Sequence, residues 1–279
     1  MVVCKTISEL HSAIEIIKTD NQSIGFVPTM GALHQGHLEL IKHSSIENPI
    51  TVCSIFVNPI QFNNTEDLHK YPRTPEKDME LINPYCNILF MPSVKEMYPD
   101  NNHESFNFGK LETVMEGAFR PGHFEGVAIV VSKLFKIVKP QKAYFGEKDF
   151  QQMQIIKAMT KQINIPVEII SCPIVREKDG LAMSSRNMRL SENERKVAPL
   201  IYQTLISAKE KIKTNSAEVV KQYVNNVFNN EPLFKLEYFE IADTENLQPI
   251  NHIETDKKII ACIAVWLGKV RLIDNIILN

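Results

Sequence analysis

The chain has 279 residues, of which 44% are hydrophobic and 23% are charged, so it can form one large or two modest domains with a buried core and is not disordered. Its formal net charge of −2 argues against a general nucleic-acid binder, although it allows a local basic pocket for phosphate. Five scattered cysteines without a CxxC pair indicate reduced thiols. The N-terminus lacks the apolar core of a signal peptide, and the longest apolar run, Ile259–Leu267, is too short to span a bilayer. We therefore expect a soluble cytoplasmic protein that binds neither nucleic acid nor membrane.

Strand-like and helix-like segments alternate over roughly the first 170 residues. In chain order we expect strands at 23–28, 51–59, 87–93, 142–145 and 167–175, and helices at 37–45, 124–140 and 150–163. Pro28 and Pro59 are expected to end the first two strands, and a polar loop is expected over 61–78. This alternation predicts an α/β protein with a parallel sheet and helices on both of its faces.

The pattern changes after about residue 175. Two helical stretches are expected over 191–213 and 216–229, followed by strands at 236–243, 258–266 and 270–278. The last two strands are typical of a hairpin that turns at Gly268-Lys269. These elements predict a smaller α+β domain.

The segment PTMGALHQGHLELIK, from Pro28 to Lys42, lies between the first strand and its helix. Ligands bind at such turns in open parallel sheets, and backbone N–H groups at a helix start can hold phosphate oxygens. Gly31 and Gly36 would let the backbone approach a nucleotide closely. His34 and His37 could hydrogen-bond to a triphosphate or neutralise charge on its bridging oxygen. The alternative is that one or both cap or pack the helix, whereas zinc binding is disfavoured because no third ligand is signalled.

The HxGH pattern in this setting resembles the nucleotidyltransferase and class I aminoacyl-tRNA synthetase superfamily, in which a nucleophile attacks the α-phosphate of ATP and pyrophosphate leaves. Met183–Arg186, within REKDGLAMSSRN, resembles the superfamily's KMSKS loop in position and residue type. Its two hydroxyls and its cation suit a leaving pyrophosphate. In FGEKDFQQ, Lys148 could reach a phosphate, and Asp149 could cap a helix or hold a ribose hydroxyl. The alternative for Met183–Arg186 is an ordinary polar loop. The alternative for the charged residues of FGEKDFQQ is a solvated turn.

Six motifs together resemble the pantoate–β-alanine ligase family: PTMGALHQGH, SIFVNPIQF, YPRT, EGAFRPGHFEGV, FGEKDFQQ and REKDGLAMSSRN. They occur in the family's order and cover about the first two thirds of the chain. The resemblance implies a Rossmann-like parallel-sheet N-terminal domain over 1–174. It also implies a smaller α+β C-terminal domain over 175–279, which carries the second phosphate-binding loop and acts as a lid. A homodimer is implied as well.

The reaction that this resemblance implies has two steps. Pantoate and ATP form an enzyme-bound pantoyl adenylate and release pyrophosphate, with Mg2+ accompanying the ATP. The amine of β-alanine then attacks the acyl carbon, which gives pantothenate and AMP. The ligands of the magnesium ion are not assigned by the resemblance.

The same resemblance assigns residues to the substrates. The catalytic residues would be His34, His37, Lys148 and Arg186, with His37 matching the family's proton donor. Gln61 would bind pantoate and β-alanine, and Gln152 would bind pantoate, because amides both donate and accept hydrogen bonds. Contacts with ATP are implied for a larger set: Met30, Gly31, Ala32, Leu33, His34, Gln35, Gly36, His37, Gly146, Glu147, Lys148, Asp149, Val175, Met183, Ser184, Ser185 and Arg186.

Three further expectations concern residues near these substrates. Asn58 could assist at the same strand end as Gln61, whereas Arg120 and His123 are expected to support the site without taking part in catalysis. The polar loop over 61–78 could be a mobile gate that shields the adenylate from water.

Other functions stay open on the sequence. Another small adenylyl- or cytidylyltransferase would share the HxGH pattern and the second loop, but would not need the two glutamines that fit pantoate. A class I tRNA synthetase is disfavoured because no anticodon-binding domain or basic surplus is visible. A nucleotide-sensing protein that kept the fold and lost catalysis is a different class, and the presence of His34, His37, Lys148 and Arg186 counts against it.

Overall fold

The computed structural model describes residues 1–19, 22–62, 65–100, 104–250 and 257–279. These residues form two compact units, one comprising 1–108, 120–147 and 152–173, the other 109–119, 148–151 and 174–279. Each unit contains its own sheet. The units interleave along the chain, and the division into domains at 174/175 stays a prediction.

The described chain contains nine strands and eleven α-helices. The strands are β1 (Val2–Cys4), β2 (Ile24–Thr29), β3 (Ile50–Ile55), β4 (Ile88–Phe90), β5 (Lys142–Gly146), β6 (Glu168–Cys172), β7 (Phe234–Asp243), β8 (Ile259–Leu267) and β9 (Val270–Ile277). The helices are α1 (Ile7–Ile17), α2 (Gln35–Glu47), α3 (Thr65–Lys70), α4 (Pro75–Ile82), α5 (Val94–Met97), α6 (Met115–Phe119), α7 (His123–Val138), α8 (Phe150–Gln162), α9 (Glu192–Val197), α10 (Leu200–Lys211) and α11 (Ala217–Asn229). No helix in these ranges combines the length and the apolar character that crossing a membrane requires.

The sheet of the first unit confirms the predicted α/β class. Its strands are parallel and lie in the order β1-β4-β3-β2-β5-β6. The chain builds outward from β2 through β3 and β4, then crosses back to place β5 on the other side of β2. The gap between β2 and β5 is therefore the topological switch point, where open α/β sheets bind ligands at the carboxyl ends of their strands.

Helices cover both faces of this sheet, as the alternation of elements predicts. Val27 in β2 belongs to a buried cluster with Ile41 of α2 and Ile82 of α4. The preceding residue, Phe26, packs its ring edge against Phe135 of α7 at 6.2 Å between centroids. Because successive side chains of a strand point to opposite faces, α2 and α4 cover one face and α7 covers the other.

The second unit packs a three-stranded antiparallel sheet, in the order β7-β8-β9, against helices. Every second residue of β8 lies in one apolar cluster with α10 and α11: Ile259, Ala261, Ile263, Val265 and Leu267. The predicted hairpin is confirmed, since Leu267 pairs with Val270 and Gly268 has a φ of +56°, a conformation that glycine adopts without strain.

Neither predicted strand end is correct. Pro28 lies inside β2, which pairs with β3 along its whole length but with β5 only through Gly25 and Phe26. At Pro28 the strand has one partner, so a missing N–H is tolerated as it is on an edge strand. The following strand, β3, ends at Ile55 rather than Pro59, because Asn58 turns the chain into a 3-10 helix over Pro59–Gln61 by accepting the Ile60 N–H at 3.3 Å.

Two predicted segments have a different secondary structure. The expected polar loop over 61–78 contains α3 and the first part of α4, which begins with Pro75 at a position where its missing N–H costs nothing. Asn63 and Asn64 lie outside the described residues. The single helix expected over 191–213 is divided into α9 and α10 at Pro199, which has no N–H for the helical ladder.

All five cysteines are buried free thiols, and burial raises the pKa of Cys86 to about 12 and that of Cys172 to about 11. Since the thiolate is the reactive form, we expect Ellman's reagent at pH 8 to label none of the five thiols rapidly in the native protein and all of them in urea. Any native thiol that reacts at the rate of free cysteine would contradict this packing.

Candidate active site

The turn after β2 has an unusual backbone that a buried carboxylate holds in place. Gly31 and Ala32 have φ values of +81° and +49°, so both lie in the left-handed region. Asp78 of α4 accepts the Ala32 N–H at 2.9 Å through one carboxylate oxygen and the Leu33 N–H at 2.8 Å through the other. A Cβ at Gly31 would lie 3.2 Å from Asp78 Oδ2, so the close approach depends on glycine. The N–H groups of Ala32 and Leu33, which could have held phosphate, are therefore bound to Asp78.

The two histidines of the HxGH pattern cap α2. His34 is the N-cap residue, and its Nδ1 accepts the Gly36 N–H at 3.1 Å. His37 occupies the third helical position, and its Nδ1 accepts the His34 N–H at 3.3 Å. The rings lie side by side, with 4.1 Å between centroids. Capping was the alternative to a phosphate role, and the structure shows that both side chains do cap. Gly36 is the second residue of α2, and its close approach to a nucleotide stays a prediction.

This capping restricts the chemistry of the two rings. A nitrogen that accepts a hydrogen bond must carry a lone pair, so in a neutral ring of this geometry the proton lies on Nε2. An imidazolium would carry a proton on Nδ1 and lose its cap. The arrangement of His34 and His37 therefore favours two neutral rings that each donate through Nε2–H.

Gln61 lies in a buried polar network of the first unit. Its Nε2 is 2.8 Å from Met30 Sδ, so this glutamine contacts the segment that follows β2. Asn58 is fully buried and donates from Nδ2 to Gln61 Oε1 at 3.4 Å and to the Gly126 carbonyl at 3.0 Å. Tyr98, whose pKa is raised by burial, donates its hydroxyl to Asn58 Oδ1 at 2.9 Å. Asn58 and Gln61 thus lie together, as the sequence predicted.

The backbone of Gln61 is fixed by α7. His123 is buried, and its Nδ1 lies 2.9 Å from the Gln61 carbonyl oxygen, while its Nε2 lies 3.0 Å from Arg120 Nη1. A Cβ at Gly126 would lie 2.6 Å from Gln61 Cα, so only glycine allows α7 to come this close. Arg120 and His123 therefore act on the position of Gln61.

The segment after β5 leads to the other predicted substrate residues. Gly146 ends β5, and Glu147 accepts the Ser171 hydroxyl at 2.7 Å. Gln152 is half-buried in α8. Its neighbour Gln151 is buried and donates to the Leu111 and Val114 carbonyls at 2.7 Å and 2.9 Å. Of the two adjacent glutamines, Gln151 therefore has a structural role, and the binding of pantoate by Gln152 stays a prediction.

The second unit holds the other predicted phosphate-binding residues. Lys148 Nζ lies 3.7 Å from Asp149 Oδ2. Met183 donates its N–H to the Val175 carbonyl at 3.0 Å, and Ser184 Oγ accepts the Arg186 N–H at 3.2 Å at the start of a 3-10 helix, Ser185–Arg189. The Ser184 oxygen is thus used as a cap, while its hydroxyl proton can still be donated.

Arg176 anchors the loop that carries Ser184–Arg186. Its guanidinium binds the buried Asp274 of β9 through two bonds of 2.6 Å and 3.0 Å, and it also donates to the Gly180 carbonyl at 3.1 Å. The Tyr202 ring lies 3.7 Å from the guanidinium carbon. Burial raises the pKa of Asp274, and the neighbouring Arg176 opposes that rise.

Sequence reasoning missed Asp78, Tyr98, Arg176 and Asp274 as residues that hold the site. Asp78 ends the polar stretch over 61–78 and Arg176 begins the REKDGLAMSSRN motif, and neither residue stands out from its neighbours there. No local signal identifies their partners, because the bonds join residues 46 and 98 positions apart.

The parallel sheet, with His34 and His37 following β2 at the switch point, defines an α/β enzyme of the Rossmann-like class. Comparison with known proteins is more specific. The pantoate-β-alanine ligase family model matches residues 2–277. The chain therefore belongs to the pantoate–β-alanine ligase family, whose members make pantothenate from pantoate and β-alanine with ATP.

Individual relatives are similar over almost the whole chain. The pantothenate synthetases of Azobacteroides pseudotrichonymphae and Bacteroides fragilis strain YCH46 are 52% and 49% identical, covering 99% of this chain and 99% and 98% of their own lengths. The crystal structure of pantothenate synthetase from Thermus thermophilus superimposes with a TM-score of 0.92 at 40% identity and full coverage of both chains. The Francisella tularensis ligase, solved in complex with beta-gamma ATP and β-alanine, gives 0.80 at 37% identity, covering 99% of this chain and 97% of its own.

The substitution Asp78→Asn tests how the HxGH turn is held. The amide nitrogen of the new side chain would meet a backbone N–H as a second donor, so we expect a loss of about 1–3 kcal/mol in the free energy of unfolding. Glu80→Gln, an exposed change on the same helix, should stay within about 0.5 kcal/mol of wild type. Urea unfolding followed by circular dichroism measures both, and equal midpoints for the two variants would refute the role of Asp78.

The Arg176–Asp274 pair can be compared with an exposed pair at the same loop, Arg195–Asp179, which is about a third or more exposed on both sides. Arg176→Gln leaves a buried carboxylate without its cation and should cost about 3–5 kcal/mol. Arg195→Gln should cost less than about 1 kcal/mol. If urea titrations give both variants the same loss, the buried pair does not anchor the loop.

Proposed function

We propose that this chain condenses pantoate with β-alanine through an enzyme-bound pantoyl adenylate, releasing pyrophosphate and then AMP. The observation that carries the proposal is the pair of Nε2–H donors on His34 and His37, which follow β2 at the switch point. The Gln61 amide contacts Met30, in the same segment after β2. Donors suited to phosphate oxygens and an amide suited to a hydroxy acid thus follow neighbouring strands of one sheet. Family membership supports the choice of substrates.

In the first step, a carboxylate oxygen of pantoate attacks the α-phosphorus of ATP. A new P–O bond forms, the bond to the bridging oxygen breaks, and pyrophosphate leaves with the electron pair. The Nε2–H groups of His34 and His37 stabilise the charge that develops on the phosphate oxygens. Complete proton transfer from a neutral ring would leave an imidazolate, so we propose that His37 acts by hydrogen bonding. Lys148 and Arg186 add positive charge for the triphosphate.

In the second step, the amine of β-alanine attacks the acyl carbon of the adenylate. The C–N bond forms, the bond to the AMP oxygen breaks so that AMP leaves with the electron pair, and the proton of the amine passes to water. Gln61 and Gln152 orient pantoate, since an amide can donate to its carboxylate and accept from its hydroxyls. The burial of Asn58 and the contact from His123 keep Gln61 in one position, so little ordering is needed when the substrate binds.

We propose that magnesium arrives with ATP as part of the substrate. In the described part of the chain, no three His, Cys, Asp or Glu side chains are grouped so that they could hold a metal ion. Phosphate and water oxygens supply the ligands that Mg2+ prefers. A homodimer, which rests on the family resemblance, and a cytoplasmic location, which rests on the composition and the scattered cysteines, are also part of the proposal.

Pyrophosphate exchange into ATP tests the first step directly. Exchange should require pantoate, and AMP release should then require β-alanine. Exchange with another acceptor would keep the adenylyl-transfer chemistry and replace the substrate. If the folded protein shows no exchange with any acceptor tested, the enzymatic proposal fails and a nucleotide-binding role takes its place.

Variants of His37 separate hydrogen bonding from proton transfer. His37→Ala should lower the exchange rate about 100- to 1000-fold, because one donor to a developing charge is lost. His37→Gln places an amide N–H near the position of Nε2 and should retain more activity than His37→Ala. The wild-type rate should not fall as the pH rises above the ordinary imidazole pKa of about 6.5. A fall there, with both variants equally inactive, would indicate an imidazolium that transfers its proton.

A further inference from the structure

Two adjacent residues of β9, Asp274 and Asn275, are polar and almost fully buried, with 3% and 5% of their surfaces exposed. Adjacent residues of a strand direct their side chains to opposite faces. Asp274 binds Arg176 through both carboxylate oxygens. The Asn275 carbonyl also accepts from Arg176 Nη2 at 3.3 Å. This part of β9 is therefore fixed to the base of the loop that carries Ser184–Arg186.

The side chain of Asn275 points to a different segment. Its Nδ2 donates to the backbone carbonyl of Lys148 at 3.0 Å. That carbonyl lies in the short 3-10 helix Glu147–Asp149, just before α8. The bond joins residues 127 positions apart in sequence, both of which belong to the second compact unit. One dipeptide thus holds the backbone of Lys148 and the base of the 176–187 loop.

We propose that Asn275 is a positioning residue that fixes the backbone of Lys148 so that its ammonium group meets the phosphates of ATP. This inference rests on the proposed function, in which Lys148 contacts ATP. The ammonium itself has a loose ion pair, 3.7 Å from Asp149, which contributes little to its direction. The bond from Asn275 to the Lys148 carbonyl restrains the backbone from which this side chain extends.

The magnitudes favour a role in positioning over one in stability alone. A neutral hydrogen bond changes the folding equilibrium constant only about fivefold. A displacement of about 1 Å in a catalytic group can cost about 100-fold in rate. Loss of the Asn275–Lys148 bond should therefore have a small effect on folding, whereas the shift in Lys148 that it allows should be measurable in ATP use.

A double-mutant cycle in ATP binding tests the proposal. Calorimetry would give the Kd of MgATP for wild type, Asn275→Ala, Lys148→Ala and the double variant. We expect Asn275→Ala to weaken binding about fivefold in the wild-type background and less than about twofold in the Lys148→Ala background, because a residue that acts through Lys148 has no effect once that side chain is absent. Asn230→Ala is the matched control, since Asn230 also donates its amide to a backbone carbonyl but is exposed.

Two results would overturn the assignment. Equal losses in both backgrounds would mean that Asn275 has only a structural role, and an unchanged Kd in Asn275→Ala would mean that the bond does not position Lys148. If Asn275→Ala does not fold by circular dichroism, the same cycle is run with Asn275→Ser, which removes the amide and keeps a small polar group. The kcat for pantoate-dependent exchange should show the same coupling, while the KM for pantoate stays at the wild-type value.

The cycle also separates this inference from the proposed function. MgATP binding needs no pantoate, so coupling between Asn275 and Lys148 can be found even when pantoate fails to support exchange. In that case the positioning role stands and the substrate is reassigned. When wild type exchanges with pantoate but the cycle shows no coupling, the proposed function stands and the role of Asn275 is rejected.

Discussion

The candidate site depends on one buried carboxylate. Asp78 accepts the N–H groups of Ala32 and Leu33, two residues in a turn that would otherwise leave these donors buried without partners. Such donors cost as much as a lost hydrogen bond, so the left-handed turn is tolerated because Asp78 is present. The same turn brings His34 to the N-cap of α2 and His37 onto its first turn. Their position thus follows from a contact that neither histidine makes.

The features that could be predicted from sequence are local in the chain. Strand and helix alternation indicates the sheet, because the apolar periods are read within ten or so residues, and the HxGH histidines and the Gly268 hairpin are equally local. The capping box of Thr6 with Glu9, which starts α1, is a local signal of the same kind. Pro28 was misread because its tolerance depends on where the ladder between β2 and β5 stops. The partners of Arg176, Asp78 and Lys148 are far away in the chain, and no pattern in a single sequence pairs them.

Gln61 and the 176–187 loop are held by different physical means. In the first unit, uncharged groups fix Gln61: a buried amide, a phenol and an imidazole. In the second unit, an ion pair holds the 176–187 loop, since Arg176 binds Asp274. Buried ion pairs add little net stability compared with apolar packing, but they strongly disfavour any arrangement in which one partner is left alone. The loop geometry is therefore specified more than it is stabilised.

The use of histidines as caps sets a limit on how stable this fold can become. Serine, aspartate and asparagine are the side chains that helix N-caps prefer, and histidine is not among them. A substitution such as His34→Asp would offer α2 a better cap and would also favour the positive end of its dipole. Under the proposed function it would also remove an Nε2–H donor and place a negative charge near the phosphates of ATP. Selection for thermostability and selection for turnover therefore act in opposite directions at this residue, and a search for stabilised variants would select against activity first at this position.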